Sequence, residues 1–157
     1  MNTAIREATP DDAWLVVQMI HRMVTEMATY GGNAPATDGP ALKAFAAALA
    51  DDIKIGKAKY LIAESAAGDP AGMAGAELNT LGGAVAPRKT LHIDAVFVFP
   101  PFRRDGIAGA LVAALLDWGR SVGCEQCDLN VLMTNPAKSL YEKLGFSVRE
   151  AKMVRSL

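Results

Sequence analysis

The stretch Val98-Phe99-Pro100-Pro101-Phe102-Arg103-Arg104-Asp105-Gly106-Ile107-Ala108-Gly109-Ala110-Leu111 carries the most informative chemistry in this sequence. It reads as a strand, a glycine-containing turn and the start of a helix. The first amides of a helix lack intrahelical acceptors, and the helix dipole adds positive potential there. Gly106, Ala108 and Gly109 are small enough for a phosphate to approach the backbone. Arg103 and Arg104 add cationic charge at the entrance. The plainer alternative, that Gly106 and Gly109 only permit tight helix packing, stays open. Two other phosphate-binding designs are excluded. No Gly-Lys-Ser/Thr follows, as nucleotide hydrolases need, and no third glycine stands where a dinucleotide fingerprint requires it.

A second constellation is Thr134-Asn135-Pro136-Ala137-Lys138-Ser139-Leu140-Tyr141-Glu142-Lys143-Leu144-Gly145-Phe146. On a short helix, Tyr141 lies one turn beyond Ala137 and on its face. A phenol there can give a proton to a leaving group. The alternative is a packed tyrosine with its hydroxyl at the rim of the core.

These residues need elements to hold them. Thr3 to Ala8 reads as a first strand. Thr9-Pro10-Asp11-Asp12 signals a helix start, and Trp14, Val17, Ile20, Val24 and Met27 follow at helical spacing. Gly31-Gly32-Asn33 ends that helix. A second helix is expected over about 41–51. Residues 59–64 and 71–81 read as hairpin strands around the Gly68-Asp69-Pro70 turn. Leu91 to Phe99 is β-branched, aromatic and apolar on both faces, the pattern of a central strand. A helix follows over about 107–122, with Ile107, Leu111, Leu115 and Trp118 as its stripe. Residues 127–132 read as another core strand, and Asn135-Pro136 opens a short helix through Leu144. Residues 146–150 and 152–155 read as closing strands. The order predicts a mixed α/β sheet with helices on both sides.

Composition bounds the function. The 157 residues fit one domain with a real core. The formal net charge of -1 lacks the basic field of a nucleic-acid binder. No signal-peptide pattern and no membrane-length apolar run is present. With only Cys124 and Cys127, a disulfide framework is excluded, and a reducing cytoplasm is the expected location. Cys124-Glu125-Gln126-Cys127 lacks the second ligand pair that zinc wants, so no metal is expected. The methionines Met19, Met23 and Met27 read as packing, and could also line part of an acceptor pocket.

Together the two motifs resemble the GNAT superfamily of acetyl-CoA-dependent N-acetyltransferases. The family's Arg/Gln-x-x-Gly-x-Gly/Ala motif is matched by Arg103-Arg104-Asp105-Gly106-Ile107-Ala108, and its Ala-x-x-x-Tyr-x-x-x-Gly-Phe segment by Ala137 to Phe146. The resemblance is closest over residues 91–148. One departure is that Asn135 lies six residues before Tyr141, with Thr134 in the family's usual asparagine slot.

The resemblance implies a mostly antiparallel sheet of roughly six or seven strands flanked by about four helices. It implies that the backbone of Arg104, Asp105, Gly106, Ile107, Ala108 and Gly109 holds the coenzyme pyrophosphate. The pantetheine would pair with Val96, Phe97 and Val98, where the fifth strand splays away, and Asn135 would contact the coenzyme. The Val98 amide would polarise the thioester carbonyl. The amine must attack neutral, so a base or a desolvating site is needed. Asp94 is the candidate base, sharing a face with Val96 and Val98 by strand alternation. A glutamate fills this place in the diamine acetyltransferase branch, which the acid-flanked first helix also resembles. Glu64 is a rival base, and His92 and His21 are read as structural. Tyr141 would protonate the departing thiolate. The acceptor is a small-molecule amine of unread identity, and a homodimer is left open. A catalytically silent acetyl-CoA sensor and an ordinary nucleotide-binding protein are the competing classes.

Overall fold

The computed structural model describes residues 3–157. The chain opens with β1 (Ala4–Glu7) and a single 3-10 turn, Pro10–Asp12, which leads into α1 (Ala13–Ala28). Thr9 and Asp12 form a reciprocal capping box, and Pro10 sits at the first turn. Asp12 also accepts two hydrogen bonds from Arg6 on β1, at 2.8 Å each. This guanidinium holds the Asp12 carboxyl far below the usual carboxylate range.

After α2 (Gly39–Lys54) come β2 (Ala58–Glu64), β3 (Pro70–Leu81) and β4 (Arg88–Val98). The chain ends in α3 (Ile107–Ser121), β5 (Gln126–Leu129) and α4 (Lys138–Lys143). The sheet order is β1-β2-β3-β4-β5. The first four strands pair antiparallel and β5 pairs parallel to β4.

Each face of the sheet carries its own core. On one side Val16, Val17 and Met19 of α1 and Leu49 of α2 bury Tyr60, Ile62, Met73 and Phe97. On the other, Ile107, Leu111, Val112 and Leu115 of α3 cover Leu61, Ala74, Leu91 and Ile93. Helices on both sides of a mixed sheet are as the element order predicts.

Three details differ from the sequence reading. The sheet has five strands, not six or seven. Residues 146–150 and 152–155 form no strand; Val148, Met153 and Val154 are exposed and pair with no strand of the sheet. Second, β5 stops at Leu129 rather than Leu132, because it diverges from β4. Third, Trp14 is 42% exposed and lies off the buried face of α1. That face runs Ala13, Val16, Val17, Ile20 and Met23, about 100° around the helix from Trp14. Among the described residues, no helix is long and apolar enough to cross a membrane.

Candidate active site

The site begins where β4 and β5 part. Their pairing runs from Thr90↔Gln126 to Ile93↔Leu129 and stops there, while β4 continues to Val98. The resulting cleft has a volume of about 640 Å³ and is lined by β4, the β4–α3 turn, the first turn of α3 and α4. Backbone parity fixes what β4 offers to it. The Phe99 N–H donates to Ala71 C=O on the β3 side, at 2.9 Å. Amides alternate along a strand, so the Val96 and Val98 N–H groups point into the opening. Phe97 turns its own N–H toward β3 and its ring into the α1 core.

The turn into α3 is built for an anion. Arg104 has φ 69° and Gly106 φ 79°, two left-handed residues just before the helix. Such alternations converge backbone N–H groups into a concavity. Gly106 is the N-cap of α3 with no side-chain cap, and the first helical bond runs from Ala110 N–H to Gly106 C=O. The N–H groups of Ile107, Ala108 and Gly109 therefore have no intrahelical acceptor. A Cβ built at Gly106 would meet no atom within 4 Å, so the space before these amides is open. Together these features fit a diphosphate.

The two arginines of the turn do different things. Arg103 grips Glu26 of α1 through both terminal nitrogens, at 3.0 and 2.6 Å, and its Nε donates to Val98 C=O at 2.9 Å. Its guanidinium also lies 5.9 Å from the Phe97 ring centre. It lines the cleft, yet its charge is spent in locking α1 to the turn. The charge that the sequence placed at the entrance is thus shared with Glu26. Arg104 is exposed and lines the cleft. Asp105 is exposed and lies outside the lining set.

Tyr141, on α4, lines the opposite wall, with its ring edge-on to Phe146 at 6.1 Å between centroids. Its hydroxyl makes no hydrogen bond to another described residue. Burial pushes the phenol above its ordinary range. The group therefore stays protonated at neutral pH, as a proton donor must. Asn135 also lines the cleft, but its Oδ1 accepts from the Ala137 N–H at 2.9 Å and shapes the entry to α4. Thr134, in the usual asparagine slot, donates to Tyr30 C=O at 2.8 Å.

Asp94 departs from the alternation used to place it. The β3–β4 register jumps from Gly75↔Ala95 to Ala76↔Ile93, which makes Asp94 the extra residue of a β-bulge. The bulge turns Asp94 to the face of Ala95 and Phe97, away from Val96 and Val98, which pack with the α3 core. There Asp94 borders the large cleft and also a smaller cavity of about 90 Å³ beneath α2. Its Oδ2 accepts a hydrogen bond from the buried Tyr60 hydroxyl at 2.5 Å. Lost hydration raises the Asp94 pKa, Tyr60 lowers it, and Glu77 raises it again. A carboxylate pushed upward is a better proton acceptor at neutral pH.

The other sequence candidates lie elsewhere. Glu64 is bound by Arg6 at 2.6 Å at the β1–β2 edge. His92 pairs with Asp128 across β4–β5 at 2.5 Å, and His21 meets Ala36 C=O at 2.9 Å. Cys124 and Cys127 are free thiols, and burial pushes Cys127 up to about 12. Among the described residues, no group of three or more His, Cys, Asp or Glu side chains could hold a metal ion. Tyr60 escaped the sequence reading of the site, and Glu26, read only as one of several acids that could serve a cationic acceptor, pairs instead with Arg103; their partners lie 34 and 77 residues away, which no local pattern announces.

Residues 26–146 match the model of the acetyltransferase (GNAT) family, and the chain belongs to that family. Among curated relatives, it is 41% identical over 64 residues to glucosamine 6-phosphate N-acetyltransferase of Trypanosoma brucei brucei, covering 40% of this chain and 41% of that protein. It is 31% identical over 61 residues to aminoglycoside N(6')-acetyltransferase type 1 of Salmonella typhimurium, covering 38% and 42%. The chain thus spans about two fifths of the length of these relatives. A predicted acetyltransferase of Clostridium acetobutylicum, solved with acetyl-CoA, shares the fold with a TM-score of 0.79 at 15% identity, over 99% of this chain and 96% of that one.

Proposed function

We propose that this chain transfers the acetyl group of acetyl-CoA to a primary amine by direct attack. The observation that carries the reading is one continuous cleft. It joins the unpaired edge of β4, the uncapped amides of α3 and the Tyr141 side chain. The Ile107, Ala108 and Gly109 amides, with the Arg104–Gly106 turn, hold the diphosphate of the coenzyme. The Val98 N–H donates to the thioester carbonyl and stabilises the oxyanion that develops there. Asp94 takes a proton from the incoming ammonium, directly or through water, so that the neutral amine attacks. The C–N bond forms, the tetrahedral intermediate collapses with loss of the C–S bond, Tyr141 protonates the leaving sulfur, and the proton left on the product nitrogen passes through water to the Tyr141 phenolate.

The acceptor in this reading is a small amine, with diamines and amino sugars as the first classes to try. By their names, these two relatives are N-acetyltransferases of glucosamine 6-phosphate and of aminoglycosides. The reading also has the chain act in the cytoplasm, as a homodimer of single catalytic domains over residues 1–157. Its support is two free thiols, the edge position of β5, and exposed apolar residues such as Val148 and Val154 beside no strand. Light scattering on the eluted protein tests the dimer. For the activity, the test is coenzyme-thiol release from acetyl-CoA over a panel of diamines, amino sugars and aminoglycosides, with the acetylated product identified by mass spectrometry. Tight acetyl-CoA binding without thiol release on any amine overturns the catalytic reading.

A further inference from the structure

Tyr60 stands on β2, two strands away from the cleft, yet its hydroxyl reaches the carboxylate at the cleft wall. The route is built into the sheet. Tyr60 pairs with Gly75 on β3, and the bulge residue Asp94 lies on β4 against the same position. A Cβ at Gly75 would stand 2.0 Å from Tyr60 Cε1 and 2.6 Å from Cζ. Only a residue without a side chain lets the ring lie across β3. The ring is 3% exposed and packed in the α1–α2 core, so its direction is fixed. The bulge supplies the other half: Ile93 faces the α3 core while Asp94 shares the opposite face with Ala95 and Phe97, against the Gly75 slot.

We infer that Tyr60 is a positioning residue for acetyl transfer: through the slot over Gly75 it holds the Asp94 carboxylate at the junction of the two cavities, in the orientation and ionisation state that proton removal from the amine requires. The inference rests on the proposed role of Asp94 as base. Asp94 works only when deprotonated, and an O–H donor favours the charged form. Removing the donor raises the Asp94 pKa, so activity appears at higher pH. Other charges facing Asp94 are Glu77 from β3, Asp52 from α2 and His92 on its own strand, while Lys57 bridges Asp52 and Glu77. From α1, Glu26 reaches the cleft but is paired with Arg103. None of these is altered in Tyr60→Phe, which keeps the ring and removes one oxygen.

The experiment is a carbon-13 titration of the Asp94 carboxyl in aspartate-labelled protein, assigned with Asp94→Asn, beside the pH profile of kcat/KM for the amine found in the acceptor screen. In Tyr60→Phe the Asp94 midpoint rises by about one to two pH units, the size of a charge-assisted hydrogen bond. The acidic limb of kcat/KM rises with it, and the plateau at high pH is largely kept. Gly75→Ala, which evicts the ring, moves the midpoint the same way. An unmoved midpoint overturns the inference. A midpoint that moves while the limb stays also overturns it, since Asp94 is then not the base. A uniform loss of rate at every pH, with an unmoved limb, marks a merely structural tyrosine and overturns it as well. If neither variant folds, wild-type protein decides: a slowly exchanging phenol proton assigned to Tyr60, shifted as Asp94 titrates, supports the inference, and its absence overturns it. The titration needs no turnover, so failure of the acetyltransferase reading would show separately, in the acceptor screen.

Discussion

Replacing Tyr141 by phenylalanine removes one hydroxyl from the cleft wall and leaves the rest of the side chain in place. The hydroxyl bonds to no other described residue, and the edge contact with Phe146 at 6.1 Å belongs to the ring. The fold therefore loses little, about 0.5 kcal/mol or less. Acetyl-CoA affinity should stay within about twofold, because in the proposed reading the grip on the coenzyme comes from β4 and the α3 amides. Turnover should fall far more. A positioned general acid is worth about 10²- to 10⁴-fold. Thiols ionise near pKa ~8.5, so a thiolate leaves with less help than an alkoxide and the lower figure applies. A loss of about 10²-fold corresponds to ~2.7 kcal/mol of transition-state stabilisation. The pH dependence adds a second signature. Burial raises the Tyr141 pKa, so its protonated form persists as pH climbs and is lost only above the ordinary tyrosine range of ~10. Wild-type kcat should hold through that range on the alkaline side, and the variant should show no tyrosine-dependent fall at all. Thiol release under saturating amine gives kcat, calorimetry gives the acetyl-CoA Kd, and a melt gives stability. Full turnover in Tyr141→Phe would refute the proton-donor role. A parallel collapse of Kd and Tm would reduce Tyr141 to packing.

Further outcomes follow from the same geometry. Gly106→Glu should weaken acetyl-CoA binding at least tenfold by calorimetry. Gly106→Ala should cost only the strain of a side chain at φ 79°, about 1–2 kcal/mol in stability, because its Cβ meets open space. Equal affinities for the two variants would remove the anion site from the turn. Asp94→Asn should abolish most turnover yet melt higher than wild type at pH 8. The raised Asp94 pKa means that folding favours the protonated form. The cost of the charged group is therefore present above the folded pKa and disappears as pH falls below the unfolded value of ~3.9, so the variant's advantage should shrink toward pH 4. An advantage that grows on acidification would reverse the sign of the argument. Cys127, pushed up to about 12 by burial, should react with a disulfide reagent at pH 7.5 far more slowly than in denatured protein. Rapid labelling of the folded chain would contradict its burial.

The site was legible wherever the chemistry is local. Arg103 to Gly109 announce an uncapped helix start because small residues and a turn leave amides uncovered. Tyr141 sits one helical turn from Ala137, so periodicity alone puts it on that face of α4. The core strands and α3 were readable from β-branched runs and a 3.6-residue stripe. The misplacements share one cause. Asp94 was assigned a face by strict alternation, and the bulge against Gly75 and Ala76 changed that face. Arg103 was read as charge at the entrance, and its pairing with Glu26, 77 residues away, has no local signature. The closing strands had the right alternation but pair with no strand of the sheet.

Sequence by itself thus determined the order of elements, the uncapped turn into α3 and the family of the fold, because backbone conformation near Gly106 and the apolar periods depend on neighbouring residues. Tertiary structure alone decided which side of the sheet Asp94 faces, what neutralises Arg103, and how far β5 stays with β4. Each of these is a pairing between strands or helices distant in the chain. Its energy comes from register and shape complementarity, which exist only once the sheet has closed.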